Sequence, residues 1–406
     1  MRLSDSLISL RNRNFSLFFW GQMISRVGMW MQRTAVIWVV YEITDSAFMI
    51  GVATFAEQFP SFVFSVRGGI IADQYNRYKA LMVTQVLSAL QAVALAACSF
   101  ADNKNVTLIL LLSVFLGIVN AYDVPVRQSM INEIVENKEE LPNAVALNSS
   151  LNTFARLIGP AFAGFVLAKY GASFCFVANA VSFIAVIGGI AAMRFPENTF
   201  ETVKTRSRGR FKEAIVYLQQ NRLILTVIII AALSNLLVLP FVTLLPVYTK
   251  EVFHGNAATF GWLNAAMGVG AFAGSFYLAA GGKDVDFRRQ LQLNTFMMGA
   301  SLVLFAYSTS LPVSLLLLVL LGFSSICQTS IIITIVQTDT DKAFRGRIMS
   351  FIAMAIFGMM PLGSLLVGRL APLAGNANVL CVEGLLSIII GMAFRKNLIA
   401  LFQPDK

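Results

Sequence analysis

Gln22, Arg26, Met29 and Arg33 recur at three- and four-residue intervals along one apolar stretch. At about 100° per residue they fall within about 60° of one another, so one helix face is a polar, cationic stripe. Glu57, beside Gln58 and just before Pro60, lies on the next apolar stretch at a depth similar to Arg33. An ionisable group in hydrocarbon costs at least about 2.5–3.5 kcal/mol, so such residues face a cavity or a partner. One reading is a central cavity: Gln22, Arg26 and Arg33 hold anionic oxygens of a small-molecule substrate, and Glu57 exchanges protons. The other is an Arg–Glu pair that locks two helices together. A single carboxylate cannot neutralise two arginines, which favours the cavity.

Further along, Asp123 and Arg127 flank Pro125 as an i,i+4 acid–base pair in the favourable order. Asp123 is a candidate second proton carrier. The competing role is a staple with Arg127 at the cytoplasmic end of the helix, where Arg127 serves the gate. Arg156, one turn before Gly159-Pro160, is expected to face the same cavity as Arg26 and Arg33. The C-terminal half offers the amides Asn235 and Asn264 as further substrate ligands, and a Gly270-x-x-x-Gly274 spacing that suits close helix packing. Arg369 and Glu383 read as an ion pair closing that half.

Enzyme chemistry finds no constellation here. The one histidine, His254, has no catalytic partner beside it, and Cys98, Cys175, Cys327 and Cys381 sit singly in apolar runs. No G-x-x-x-x-G-K-[ST] loop occurs, which removes an ATP-driven pump within this chain. No metal or organic cofactor is implied.

The elements that must position these residues are membrane helices. Of 406 residues, 57% are hydrophobic and only 13% charged, against about 45–50% and about 25% in soluble domains. No soluble interior grows fast enough to bury the excess. Apolar runs near 15–41, 48–72, 80–101, 106–131, 142–168, 172–193, 223–249, 258–281, 290–309, 312–337, 346–371 and 377–395 predict twelve spans. The expected fold is an all-α membrane protein of two pseudo-symmetric six-helix bundles, 1–195 and 223–406, joined by a cytoplasmic linker, 196–222. Phe211, Ile215 and Leu218 predict a short amphipathic helix on the membrane surface in and beside that linker.

With the N-terminus in the cytoplasm, cytoplasmic segments hold 23 Lys and Arg, and the opposite face holds only Lys104, Lys169 and Lys250. Both termini are therefore expected inside. The net charge of +10 follows from this topology, or from contact with anionic lipid, and not from nucleic-acid binding. Met1–Asn14 is polar and basic, unlike a cleavable signal peptide.

The stretch GIIADQYNRYK, residues 69–79, resembles the signature between spans two and three of the major facilitator superfamily, G-x-x-x-D-R-x-G-R-R/K. Gly69, Asp73, Arg77 and Lys79 match, while Gln74 and Asn76 replace the usual basic residue and glycine. The resemblance implies a cytoplasmic gate latched by these four residues, with Asp73 against the N-terminus of span eleven, where Arg345 and Arg347 stand. LRNRNFSLFFWGQMIS, YDVPVRQSMINEIV, ELPNAVALNSSLNTFARLIGPAFAGFVL and FRGRIMSFIAMAIFGMMPLGSLLVG look like the transmembrane secretion effector branch, which includes the enterobactin exporter and macrolide efflux proteins. Gly159-Pro160 with Gly164 also resembles the antiporter signature of span five and joins the gating set.

What the resemblance implies is a bacterial inner-membrane exporter driven by protons. With three fixed cations, the expected cargo is anionic or oxygen-rich, such as a siderophore, moved by alternating access. The expected state is a monomer in the bilayer, with room for a periplasmic or outer-membrane export partner. Rivals are macrolide or multidrug efflux, uptake by the same fold, and a scaffold or sensor that shows no flux and tolerates Arg26→Ala.

Overall fold

The computed structural model of the chain describes residues 8–101, 105–135, 137, 139–195, 211–280, 286–341 and 344–394. All regular structure among these residues is helical. The first half contains α1 (Arg13–Thr44), α2 (Ala47–Gln74), α3 (Arg77–Phe100), α4 (Val106–Ile134), α5 (Leu141–Tyr170) and α6 (Ala172–Ala191). Then come α7 (Phe211–Gln220), α8 (Arg222–Leu237), a 3-10 segment (Leu239–Leu244), α9 (Leu245–Glu251), α10 (Ala257–Ala280) and α11 (Phe287–Ala306). The chain continues through α12 (Leu311–Asp339), α13 (Arg345–Ala353), a π-helical turn (Met354–Gly358), α14 (Met359–Ala374) and α15 (Asn376–Ala393).

Among the described residues ten segments are long and apolar enough to cross a membrane, with Arg222–Glu251 and Arg345–Ala374 each taken as one. The remaining long helices, α1 and α11, are less apolar. α1 carries Arg26 and Arg33, and α11 opens on two arginines and carries Gln290, Gln292 and Asn294.

Local chemistry sets the boundaries. The side chains of Asn76 and Asn105 accept hydrogen bonds from the amides of Lys79 and Leu108 and so cap α3 and α4. Gly171 and Gly375 stand alone between α5 and α6 and between α14 and α15, with φ of 85° and 87°. That left-handed backbone favours glycine. The spans expected at 223–249 and 346–371 are interrupted. Pro240 and Pro246, which lack an amide donor, sit where the helix passes into the 3-10 segment and out into α9.

Two compact units result: Met1–Ile43 with Ala56–Arg206 (unit 1), and Thr44–Phe55 with Ser207–Lys406 (unit 2). In unit 1, α3 packs on α4 and α6, and Phe15, Phe18, Leu81, Val126, Met130 and Ile190 form part of the core. Glycines bring α2 and α4 together: a Cβ on Gly68 would strike the Ala121 carbonyl, and one on Gly117 the Glu57 carbonyl. In unit 2, α11 packs on α12 and α15. There α10 and α12 meet in the same manner, Gly270 on the Val319 carbonyl and Gly322 on the Met267 carbonyl. The corresponding glycines stand roughly 200 residues apart, as in proteins built from parallel repeats.

Helix α7 docks on unit 2. Ala214 and Leu218 are buried, and Tyr217 stacks on Phe344 with ring centroids 4.6 Å apart. The Tyr217 hydroxyl accepts a hydrogen bond from the Asp341 amide at 3.1 Å. Ile215 is exposed, so the buried face lies to one side of the expected Phe211–Ile215–Leu218 stripe; the Phe211 side chain lies outside the described residues.

Candidate functional site

Unit 1 holds two polar clusters at membrane depth. In the first, Gln22 and Arg26 of α1 are buried, at 1% and 2% exposure. Arg26 Nη2 donates to Asn148 Oδ1 on α5 at 3.0 Å. Its Nε and Nη1, and Gln22 Nε2, have no hydrogen-bond partner. Within electrostatic reach of Arg26 lies the pair formed by Asp123 Oδ2 and Arg127 Nη1, 2.9 Å apart. Asp123 Oδ1 also accepts from Thr84 Oγ1 at 2.9 Å and Gln85 Nε2 at 2.6 Å, both on α3. Three donors therefore satisfy this buried carboxylate.

The second cluster lies about 10 Å along α1, two turns on. Arg33 Nε meets Glu57 Oε2 at 3.1 Å, and the guanidinium lies 5.1 Å from the Trp30 ring. Gly159 lets α5 press against α1 here, since a Cβ at that position would run into Trp30 and come within 3.2 Å of the Val27 carbonyl. One turn earlier on α5, Arg156 is within electrostatic reach of Arg33. Arg156 is exposed on α5.

Gln22 and Arg26 are thus buried, and Arg26 faces Asn148 and the Asp123–Arg127 pair inside the unit, whereas Arg33 is partly exposed. Of the three arginines expected to line a cavity, Arg33 is paired, with Glu57. Among the described residues, Arg26 and Arg156 have no ion-pair partner.

Behind both clusters runs a buried amide chain that sequence reasoning missed. Asn179 Nδ2 donates to Gln32 Oε1 at 2.8 Å, Gln32 Nε2 to Gln91 Oε1 at 3.0 Å, and Gln91 Nε2 to the Leu112 carbonyl at 3.3 Å. Alone, each glutamine looks like any polar interruption of an apolar run. Together they bolt α1 to α3, α4 and α6 and fix the direction of Arg33.

Of the gating residues, Arg77 pairs with Glu133 and donates to the Ala72 carbonyl at 2.9 Å. Glu133, in the stretch after span four, was not singled out from sequence. Asp73 is the last residue but one of α2, and its side chain lies outside the described residues; Gly69 has open space where a side chain would go. Lys79 lies in the capped first turn of α3, and Pro160 is buried within α5. In unit 2, Arg345 donates to the Thr340 carbonyl at 3.4 Å and Arg347 stands 3.8 Å from Glu213 of α7.

Asn235 and Asn264 lie in unit 2, where each amide donates to its own helix, to the carbonyls of Ala231 and Phe260. The expected Arg369–Glu383 pair does not form. Similar depth is not a shared face: Arg369 is exposed, and both oxygens of buried Glu383 lack a partner. Among the described residues no group of His, Cys, Asp or Glu is disposed to hold a metal.

Residues 4–403 match the family described as transmembrane secretion effector. The staphyloferrin A transporter of Staphylococcus aureus is 26% identical over 383 residues, covering 93% of this chain and 94% of that one. Macrolide efflux protein A of Streptococcus pyogenes is 21% identical over 388 residues, covering 92% and 93%. The fold resembles the crystal structure of a POT family transporter in complex with 5-aminolevulinic acid, with a TM-score of 0.78 at 12% identity, over 97% of each chain. A polytopic helical chain with unsatisfied cations at membrane depth and this match from end to end belongs to the transmembrane secretion effector family of the major facilitator superfamily, whose members are transporters and not enzymes.

Proposed function

We propose that this chain is a proton-coupled exporter of a small anionic or oxygen-rich metabolite, such as a carboxylate siderophore. In this reading α1 and α11 complete twelve spans, in bundles 1–195 and 223–406 with the linker 196–222 between them. The protein works as a monomer in the bacterial inner membrane by alternating access, with both termini cytoplasmic.

The observation that carries the reading is the Arg33–Glu57 pair near Arg156, which has no ion-pair partner among the described residues, with none of the three fully buried. Arg156 offers a fixed charge to a cargo carboxylate. Glu57, as a carboxylate, accepts hydrogen bonds from cargo hydroxyl or amide groups. Protonation removes that acceptor, which gives loaded and empty states the difference in proton affinity that coupling requires. Asp123, already held by three donors, is the second candidate for a proton. The word secretion in the family's description and the cargo in the name of the staphyloferrin A transporter support an exported siderophore.

The test is cargo accumulation in everted vesicles with an acidified lumen, starting with labelled staphyloferrin A. Glu57→Gln is expected to lose proton-driven accumulation while keeping exchange of labelled for unlabelled cargo. Full proton-driven accumulation by Glu57→Gln would overturn the coupling assignment.

One observation favours a second reading, uptake. Protonating Glu57 also frees Arg33, so a proton and an anion could bind together and travel the same way. An uptake carrier would empty the same acid-lumen vesicles and fill right-side-out ones.

A further inference from the structure

Glu383 is the buried acid that the proposed mechanism does not use. It lies on α15 about 10 Å in from Gly375, at 4% exposure, with both carboxylate oxygens lacking any hydrogen-bond partner. The helices pack closely beside it. Next to it on the chain, Gly384 touches the Gly299 carbonyl and Val303 of α11, and one turn on, Ser387 Oγ donates to the Thr295 carbonyl at 2.8 Å.

Among the described residues no cation pairs with it. α11, α14, α8 and the 3-10 segment pack against α15. Their charged residues are Arg288 and Arg289 at the far end of α11, Arg369 on α14 and Arg222 at the first position of α8. Arg289, Arg369 and Arg222 are exposed. Cys381 is the other titratable group on α15, and neighbouring Tyr307 bonds to Asn378. Tyr248 of α9 is within electrostatic reach, but its hydroxyl already donates to the Ala306 carbonyl at 2.7 Å.

A carboxylate without donors or counter-ion is the costliest side chain to hold in a dry interface, and adding one proton removes the charge. We propose that Glu383 is a proton-binding site of unit 2, occupied while α15 is packed on α11 as in this structure and emptied when that interface takes up water. The site is independent of the role given to Glu57. Losing the proton would place a bare charge between α11 and α15, beside the short helix α9, which the 3-10 segment already uncouples from α8.

Infrared difference spectroscopy of the purified, lipid-reconstituted protein tests this without a cargo. At neutral pH the wild type is expected to show a protonated-carboxylic-acid carbonyl band that is lost in Glu383→Gln and retained in Glu57→Gln. Identical wild-type and Glu383→Gln spectra in that region would overturn the proposal. Should Glu383→Gln not be recovered folded, an apolar carbodiimide, which reacts with protonated carboxyls, replaces it on the wild-type protein. An adduct on Glu383 at neutral pH that vanishes at alkaline pH supports the site, and no adduct at neutral pH overturns it.

Discussion

Unit 1 and unit 2 share a skeleton and differ in the chemistry hung on it. In both, the third helix of the half packs on the fourth and sixth, and the second meets the fourth through glycines set against carbonyls. The carbonyl that Gly117 touches belongs to Glu57; the one that Gly322 touches belongs to Met267. Equivalent places in the two repeats thus carry an acid and a thioether. Unit 1 surrounds its buried acid Asp123 with donors, whereas unit 2 leaves Glu383 with none. The lesson is that backbone-to-backbone contacts demand glycine in both halves, while the side chains nearby are free to diverge.

The comparison can be broken most forcefully at Asp123. Asp123→Ala removes a buried carboxylate and leaves half-buried Arg127 without its counter-ion and Thr84 and Gln85 without their acceptor, and should cost about 3 kcal/mol, read as a lowered thermal unfolding midpoint in lipid or detergent. The shared skeleton predicts that Gly117→Leu and Gly322→Leu each lose about 1–3 kcal/mol or more from overpacking. A large loss in one and none in the other would show that the halves are not built alike. Gly69→Ala, with open space at its Cβ, should leave the same midpoint unmoved. Glu57→Gln breaks a partly solvated pair, and a stability change within about 1 kcal/mol is expected, so any transport defect is not a folding defect. Smallest of all, Arg26→Met should leave the unfolding midpoint close to that of the wild type, because two of the Arg26 donors already go unpaired; a large fall would show that the Arg26–Asn148 bond holds α1 to α5.

Much of the fold was legible because lipid is a simple solvent: an apolar run of span length has few alternatives to a helix. The breaks were harder to read. Pro240 and Pro246 announce a disturbance, but neighbouring helices decide whether it becomes a kink or a 3-10 passage. In the candidate site, similar depth on adjacent spans left Arg33 and Glu57 open to pairing, a reading ranked below the cavity, and the structure has that pair. The same logic misled at Arg369 and Glu383, because depth fixes height along the membrane and not the direction a side chain leaves its helix. Glu133 for Arg77 and Asn148 for Arg26 were illegible for a related reason: such partners are joined by packing across 56 and 122 residues of chain.

Gly171 and Gly375 each make the whole connection between two long helices. A joint one residue long cannot be stretched, so each helix pair must move as a jointed lever, turning about its glycine rather than separating there. Insertion of even a short epitope tag at either point would push apart helices that have no slack, whereas surface loops elsewhere absorb such additions readily. Anyone tagging this transporter should look elsewhere.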